Sequence, residues 1–422
     1  MKSLPFFLLM ISAAICNYAK AQLSIDHCQQ LARAHYPIVK RYDMIKQTAA
    51  YNLSNAGKGY LPQFLLSAKA TYQSETVVVP LQIPGMQIEI PSPYKDQYAA
   101  TLDMAQSIWD GGAVRAQKQM ISAGANVEQE QLNVDMYALE KRVNQLFFGI
   151  LLWEAQIEQN RILQADLQRS CTLVEACVQN GLSNYADLDA VSVERLKAIQ
   201  FEQQLMAGRR AYIEMLSVMI GQHLDESVSF EKPDVRAMAL STQVDRPELK
   251  LFDAQNQLFE TQKNTITAGY MPRFNLFLQG GYGRPGLNML DRNASPFFIG
   301  GIRMSWNFGA LYTRKNDLLK LALNQQNVET LRETFLYHTN IEVTQQNIQI
   351  ERIQKMMQYD DEIIALRENI RRSAESKVAN GTLSVTELMR ELNAESLSKQ
   401  EKMKHEIELI TAIYDLKYST NN

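Results

Sequence analysis

Apolar residues along this chain change their period, and the change happens twice in the same order. From Phe64 they fall at every second position. Phe64, Leu66, Ala68, Ala70 and Tyr72 share one face, and Leu65, Ser67, Lys69, Thr71 and Gln73 share the other. Period two predicts a strand with one wet face. The alternation resumes with Tyr98, Ala100, Leu102, Met104 and Ile108 opposite Gln97, Thr101, Asp103 and Ser107. From Ala113 to Val178 the period is helical and free of proline, with Leu139, Val143, Leu146, Phe147 and Ile150 recurring and Gln and Glu on the other faces. Such a helix would be roughly 100 Å long at 1.5 Å per residue. Its pattern predicts helix-on-helix packing rather than a membrane span.

Asn180-Gly181 interrupts that run, and a helix restarts at Tyr185 and continues to Ile220, with Gly221 after it. Asn380-Gly381 does the same between a helical run from about Tyr312 to Ala379 and a last helix from Val385 to about Tyr418. Glycine tolerates the positive φ of a helix end. Asn184 with Asp187, and Ser384 with Glu387, have the spacing of a capping box at each restart. Two long helical hairpins are therefore expected, one per turn.

The remaining segments repeat too. A helix over 22–58 precedes Gly59-Tyr60-Leu61-Pro62-Gln63-Phe64, and a helix over 246–267 precedes Gly269-Tyr270-Met271-Pro272-Arg273-Phe274. After the second entry, Phe274, Leu276, Leu278 and Tyr282 alternate with Arg273, Asn275 and Gln279. Beyond a loop at 284–295, Phe298, Ile302, Met304, Trp306 and Phe308 alternate with Arg303, Ser305 and Asn307. Helix, aromatic-Pro entry, strand, loop, strand and long helical hairpin thus occur twice, an internal duplication. The expected domains are a leader over 1–21, a first repeat over 22–221, a linker over 222–245 and a second repeat over 246–422.

The strands are about 10 residues long, which suits a tilted membrane crossing, and Tyr72, Tyr98 and Trp109 stand near their ends as in aromatic girdles. A hairpin in a soluble sheet fits the same alternation. The loop over 74–96 holds Pro80, Pro84, Pro91 and Pro93.

Composition narrows the class. Lys2, the apolar run Leu4 to Ile15 and Ala19-Lys20-Ala21 have the form of a secretory leader, cleaved before Gln22. Ile15 before Cys16 is larger than a lipoprotein site needs. The leader aside, Cys28, Cys171 and Cys177 form no disulfide framework, and Cys171 and Cys177 do not face each other on one helix. Small buried hydrophobes are expected. The net charge of −3 and pI of about 6.1 do not point to nucleic acid. The histidines are scattered, and no nucleophile–base pair, phosphate loop or metal spacing occurs. No enzyme and no cofactor is expected.

Two hairpins supply four strands, too few to close a barrel. Symmetric copies would complete one and remove its edges. Here the chain resembles the TolC-type outer-membrane efflux family over essentially its whole mature length. The resemblance is carried by the paired Gly-Tyr-x-Pro-x-Phe entries, Ile108-Trp109-Asp110-Gly111-Gly112, Trp306-Asn307-Phe308-Gly309 and the two Gly-containing helix turns. It implies an α+β membrane protein: a homotrimer whose four strands per protomer form a 12-stranded transmembrane barrel in outer-membrane lipid, continuing into a long α-helical periplasmic tunnel. The implied function is the exit duct of a tripartite efflux pump. It would pass small molecules from an inner-membrane transporter (RND or ABC type) and a periplasmic adaptor to the exterior. Type I protein secretion would use the same duct. A periplasmic coiled-coil scaffold or adaptor is the rival from another class, and it lacks a repeated amphipathic strand pair.

The resemblance also assigns residues. Gly181, Leu182, Gly381 and Thr382 fall at the adaptor-docking tips. Asp187 and Glu387 fall at the periplasmic gate, where each acid also serves as a helix cap. Leu383 stands where better-known members have a gate arginine, and Arg390 where they have another acid. Arg390 is therefore expected to pair with Glu387, or with Asp187 of a neighbouring copy. Lys69, Asp103, Arg273 and Arg303 are expected to face the barrel lumen.

Overall fold

A computed structural model describes residues 22–78, 92–235 and 243–421. The leader, Cys16, Pro80, Pro84 and Pro91 lie outside the described residues. The chain divides into two compact units. One comprises residues up to Val39, Asp135–Arg246 and Tyr337 onward; the other comprises Lys40–Val134 and Pro247–Leu336.

The second of these holds the sheet. β1 (Gln63–Tyr72), β2 (Asp96–Trp109), β3 (Arg273–Arg284) and β4 (Ser295–Ser305) form one antiparallel sheet in sequence order. β1 and β4 are its edges. Tyr60 and Tyr270 stand at the two strand entries, where their hydroxyls donate to Asp110 and Asp317 at 3.3 and 3.4 Å. Asp110 also accepts from the backbone N–H of Gly112 and Val114, and so opens the helix that follows.

Three sequence expectations change here. The helix expected over 22–58 is broken into α1 (Ile25–His35), a 3-10 turn over Pro37–Val39 and α2 (Lys40–Gly57). Pro37 lacks the N–H that would continue α1, and the residue before a proline avoids the helical region; Tyr36 is extended. The strand expected to run through Phe308 stops at Ser305, because the Asn307 side chain accepts from Gly309 N–H and starts a 3-10 turn over Phe308–Tyr312. Ile108 does not continue the apolar row. The register shifts between Ser107 and Trp109, so Ile108 is the extra residue and Trp109 stands opposite Phe274, their rings 6.0 Å apart.

The other unit is helical. α3 (Ala113–Gln179) and α6 (Arg314–Ala379) pass from the sheet unit into it, and α4 (Tyr185–Ile220) and α7 (Val385–Thr420) return; α5 (Pro247–Gly269) belongs to the sheet unit. Val143, Phe147, Ile150, Leu167 and Val174 on α3 are almost fully buried, as are Val191, Leu205 and Leu216 on α4. Their spacings of three, four, seven and larger sums of three and four form the buried seam of packed long helices. Phe147 meets Phe148 and Phe230 edge-on at 5.8 and 5.5 Å, and Phe148 meets Tyr414 at 4.9 Å. The segment after Gly221, expected as a plain linker, contributes Phe230, which bridges to Leu23. Burial of Tyr414 pushes its hydroxyl up to about 12.

Candidate functional site: an amphipathic sheet and a double helical tip

The sheet separates its residues by parity. On one face Phe64, Met104, Leu278 and Gly300 form a row across all four strands, and Leu66, Leu102, Gly280 and Phe298 form the next. Leu276 stands opposite Ile302, and Phe274 opposite Met304. Nothing among the described residues covers this face: Leu66 is 76% exposed, Phe298 77% and Ile302 68%. A continuous apolar surface of this kind requires an apolar environment.

The opposite face carries Lys69, Asp103, Arg273 and Arg303, as the alternation predicts. Lys69 stands opposite Ala99, Asp103 opposite Leu65 and Gln279, Arg303 opposite Asn275, and Arg273 opposite Ser305. Gln279 donates to Asp103 at 2.5 Å and Thr101 donates to it at 3.2 Å. The guanidinium of Arg303 lies 4.7 Å above the Phe277 ring. Residues Gly286, Leu287 and Met289 of the β3–β4 connection border the same groove as Lys69 and Asp103.

The two helical turns lie together. In each, a glycine with positive φ (Gly181 +74°, Gly381 +69°) ends the helix. Gly181 N–H donates to Val178 and Leu182 N–H to Cys177; Gly381 donates to Val378 and Thr382 to Lys377, all at 2.9–3.1 Å. Both turns are therefore Schellman motifs. Each restart is a reciprocal capping box, Asn184 with Asp187 and Ser384 with Glu387. Leu182 reaches toward Gly381. Behind the turns, Leu167, Val174, Val191, Ala198, Ala374, Val378, Val385, Leu388, Met389 and Leu392 form one buried cluster from all four helices. At about 1.5–3 kcal/mol for each large apolar side chain buried, this cluster holds the two tips together. Leu383 is packed against it, which gives it a core role. Leu182 remains 51% exposed and Tyr185 76%.

Arg390 pairs with Glu391 at 3.2 Å, and Glu391 also receives Arg367 at 3.3 Å. The expected Arg390–Glu387 pair is thus replaced: the Glu387 carboxylate is already engaged by Ser384, through both backbone N–H and hydroxyl. Further along α7, Glu395 is almost fully buried, its side chain 3% exposed. It accepts from Arg371 at 2.5 Å and Lys399 at 2.6 Å, while Arg371 also meets Glu375 and Lys399 also meets Glu368. Burial alone would lower the Lys399 and Arg371 values, but the carboxylates around them outweigh it and hold both above their ordinary values. His405 and Asp360 form a second buried pair at 2.9 Å. Neither pair was visible in the sequence. The available signal was polar residues at buried seam positions of α6 and α7.

No helix among the described residues is long and apolar enough to cross a membrane, and none of the His, Cys, Asp and Glu residues described group as a metal site. What the described residues leave uncovered is the apolar face of a four-stranded sheet with two open edges, a surface that calls for lipid or another subunit. Residues 30–213 match the family described as outer membrane efflux protein. Over 94–95% of its length the chain has the fold of solved outer-membrane channels. It is similar to CusC (12% identity, TM-score 0.70, covering 95% of this chain and 92% of that one). It is similar to VceC from Vibrio cholerae (13%, TM-score 0.69, 94% and 96%) and to the open state of MtrE from Neisseria gonorrhoeae (12%, TM-score 0.66, 94% and 89%). No curated protein sequence matches. The match over residues 30–213 and the shared fold make the chain similar to outer membrane efflux proteins.

Proposed function

We propose that three copies of this chain form the outer-membrane exit duct of a tripartite efflux pump for small molecules. The observation that carries this is the sheet: four strands, two unpaired edges and one uncovered apolar face. Pairing β1 of one copy with β4 of the next removes the edges, and three copies give a 12-stranded barrel with lipid outside and water inside. Lys69, Asp103, Arg273 and Arg303 then line the lumen. Ile341, Ile348, Tyr359, Ile363, Leu366 and Ile370 on α6 are exposed, at spacings of three, four, seven and more residues. This second apolar seam fits helix packing between copies.

The helical turns are the end offered to a periplasmic adaptor. Gly181, Leu182, Gly381 and Thr382 form its surface, and the exposed Leu182 and Tyr185 supply the apolar contact. Asp187, Glu387 and Arg390, just behind the turns, are the gate residues, with Arg390 acting together with Glu391 and Arg367. The duct does no chemistry; an inner-membrane transporter of RND or ABC type supplies the work. A periplasmic scaffold would have no use for the bare apolar sheet face.

The test is fractionation of cells making the full chain, followed by native mass measurement of the detergent extract. Outer-membrane location with three copies per particle is expected, and cysteines placed at Leu182 and Thr382 should crosslink to an adaptor. Recovery as a soluble periplasmic monomer would contradict the proposal.

A further inference from the structure

The polar face of the sheet is unbalanced in charge. Its charged residues are Lys69, Arg273, Arg303 and Asp103. The carboxylate of Asp103 is held by Gln279 and Thr101, both neutral, and among the described residues none of the three cations has a carboxylate partner. Arg303 is instead held over Phe277, a cation–π contact that orients the guanidinium without neutralising it.

The internal duplication supplies a control for whether the hairpin itself needs these cations. Arg273 follows Pro272 and precedes Phe274, and its counterpart after Pro62 is Gln63. The strand position opposite Leu65 is Asp103, whereas the corresponding position, opposite Asn275, is Arg303. The first hairpin therefore forms with glutamine and an acid where the second has two arginines. Hairpin folding does not require positive charge at either place. Arg273 and Arg303 are both exposed, near the end of the sheet where β3 begins after α5 and β4 ends before α6.

From this we infer that the lumen of the sheet favours anions, that Arg273 and Arg303 set the preference, and that anionic small solutes are the cargo class it passes most readily. The inference rests on the reading of this face as a lumen. Threefold symmetry would multiply the imbalance, and low-dielectric walls would focus its field on a passing ion.

The experiment uses full-chain trimers in planar bilayers under a potassium chloride gradient. The chloride-to-potassium permeability ratio should exceed one by at least about twofold at 0.1 M salt and fall toward one at 1 M, where the Debye length shrinks to about 3 Å. R273Q, which installs the residue the first hairpin already carries, should lower the ratio, and R273Q/R303Q should bring it close to one. R273K should leave it high, and D103N should raise it. Recovery of each variant as outer-membrane trimers separates a charge effect from misfolding. Conducting trimers with a wild-type ratio at or below one, or a ratio unmoved in the double variant, would overturn the inference while leaving the duct intact. Trimers that conduct nothing would overturn the duct reading itself, and the inference with it.

Discussion

Glu395 occupies a place on α7 where the seam Val385, Leu388, Leu392 leads one to expect another apolar residue. Its burial is sustained by Arg371 and Lys399. Removing one partner of a buried ionic cluster leaves the others desolvated, so Glu395→Ala should cost about 3–5 kcal/mol in chemical denaturation. Arg390→Ala should cost no more than about 1 kcal/mol, because Arg390 is 75% exposed and Glu391 keeps Arg367 as a second partner. Equal losses for the two variants would contradict this ranking. Asp415 is a different case. Burial raises its carboxyl above the usual value, with Lys141 partly opposing. A raised acid binds its proton more tightly when folded, so stability falls as pH rises from the ordinary carboxylate value through the folded one. Asp415→Asn should therefore raise the melting temperature at pH 7, with the gain disappearing below about pH 4; a gain that persists there would rule out titration as its source. The caps were legible in the sequence because a capping box is local: Asn184 with Asp187, and Ser384 with Glu387, are three residues apart. The partner of Arg390 was not legible, because it depends on the Glu387 carboxylate already being used by Ser384. Nor was Leu383 legible as a core residue, since its neighbours come from other helices.

Among the elements, the long helices and four strands follow from hydrophobic period, which is why their bounds fall close to expectation. The errors came from single residues that override period. Pro37 divides the first helix, Asn307 ends β4, and the extra residue Ile108 moves Trp109 onto the apolar face. Pro37 is a local signal present in the sequence; the bulge at Ile108 is set by pairing with β3 and has no local signature. The two helix turns depend on positive φ. Gly181→Ala and Gly381→Ala should each lower stability by about 1–2 kcal/mol through left-handed backbone strain, since a Cβ at Gly181 meets nothing and at Gly381 only Leu182 at 3.5 Å. Gly149→Ala should lose more, because its Cβ would lie 2.3 Å from the Tyr212 ring. Thermal melts followed by circular dichroism would show the order, and a Gly149 variant milder than the turn variants would refute the packing argument.

For the whole molecule, the duplication explains why one chain carries two hairpins of strands and two of helices. It also explains why the sheet stops at four strands with both edges open. That incompleteness was readable from the strand count, as was the polarity of the two faces, Lys69, Asp103, Arg273 and Arg303 included. Half of the charge asymmetry, Arg273 against Gln63, is also open to the sequence, whereas the other half needs the register that aligns Asp103 with the place of Arg303. The central claim is that one face of this sheet meets lipid and the other meets water. The most direct measurement places a single environment-sensitive fluorophore, through cysteine in a background lacking Cys28, Cys171 and Cys177, at Leu66, Leu102, Leu278 or Ile302, and separately at Ser67, Thr101, Gln279 or Arg303. In reconstituted vesicles, lipid-borne quenchers should reach the first set and not the second, while a small water-soluble quencher should do the reverse. Equal quenching of both sets from water, or lipid quenching of the second set, would contradict the account.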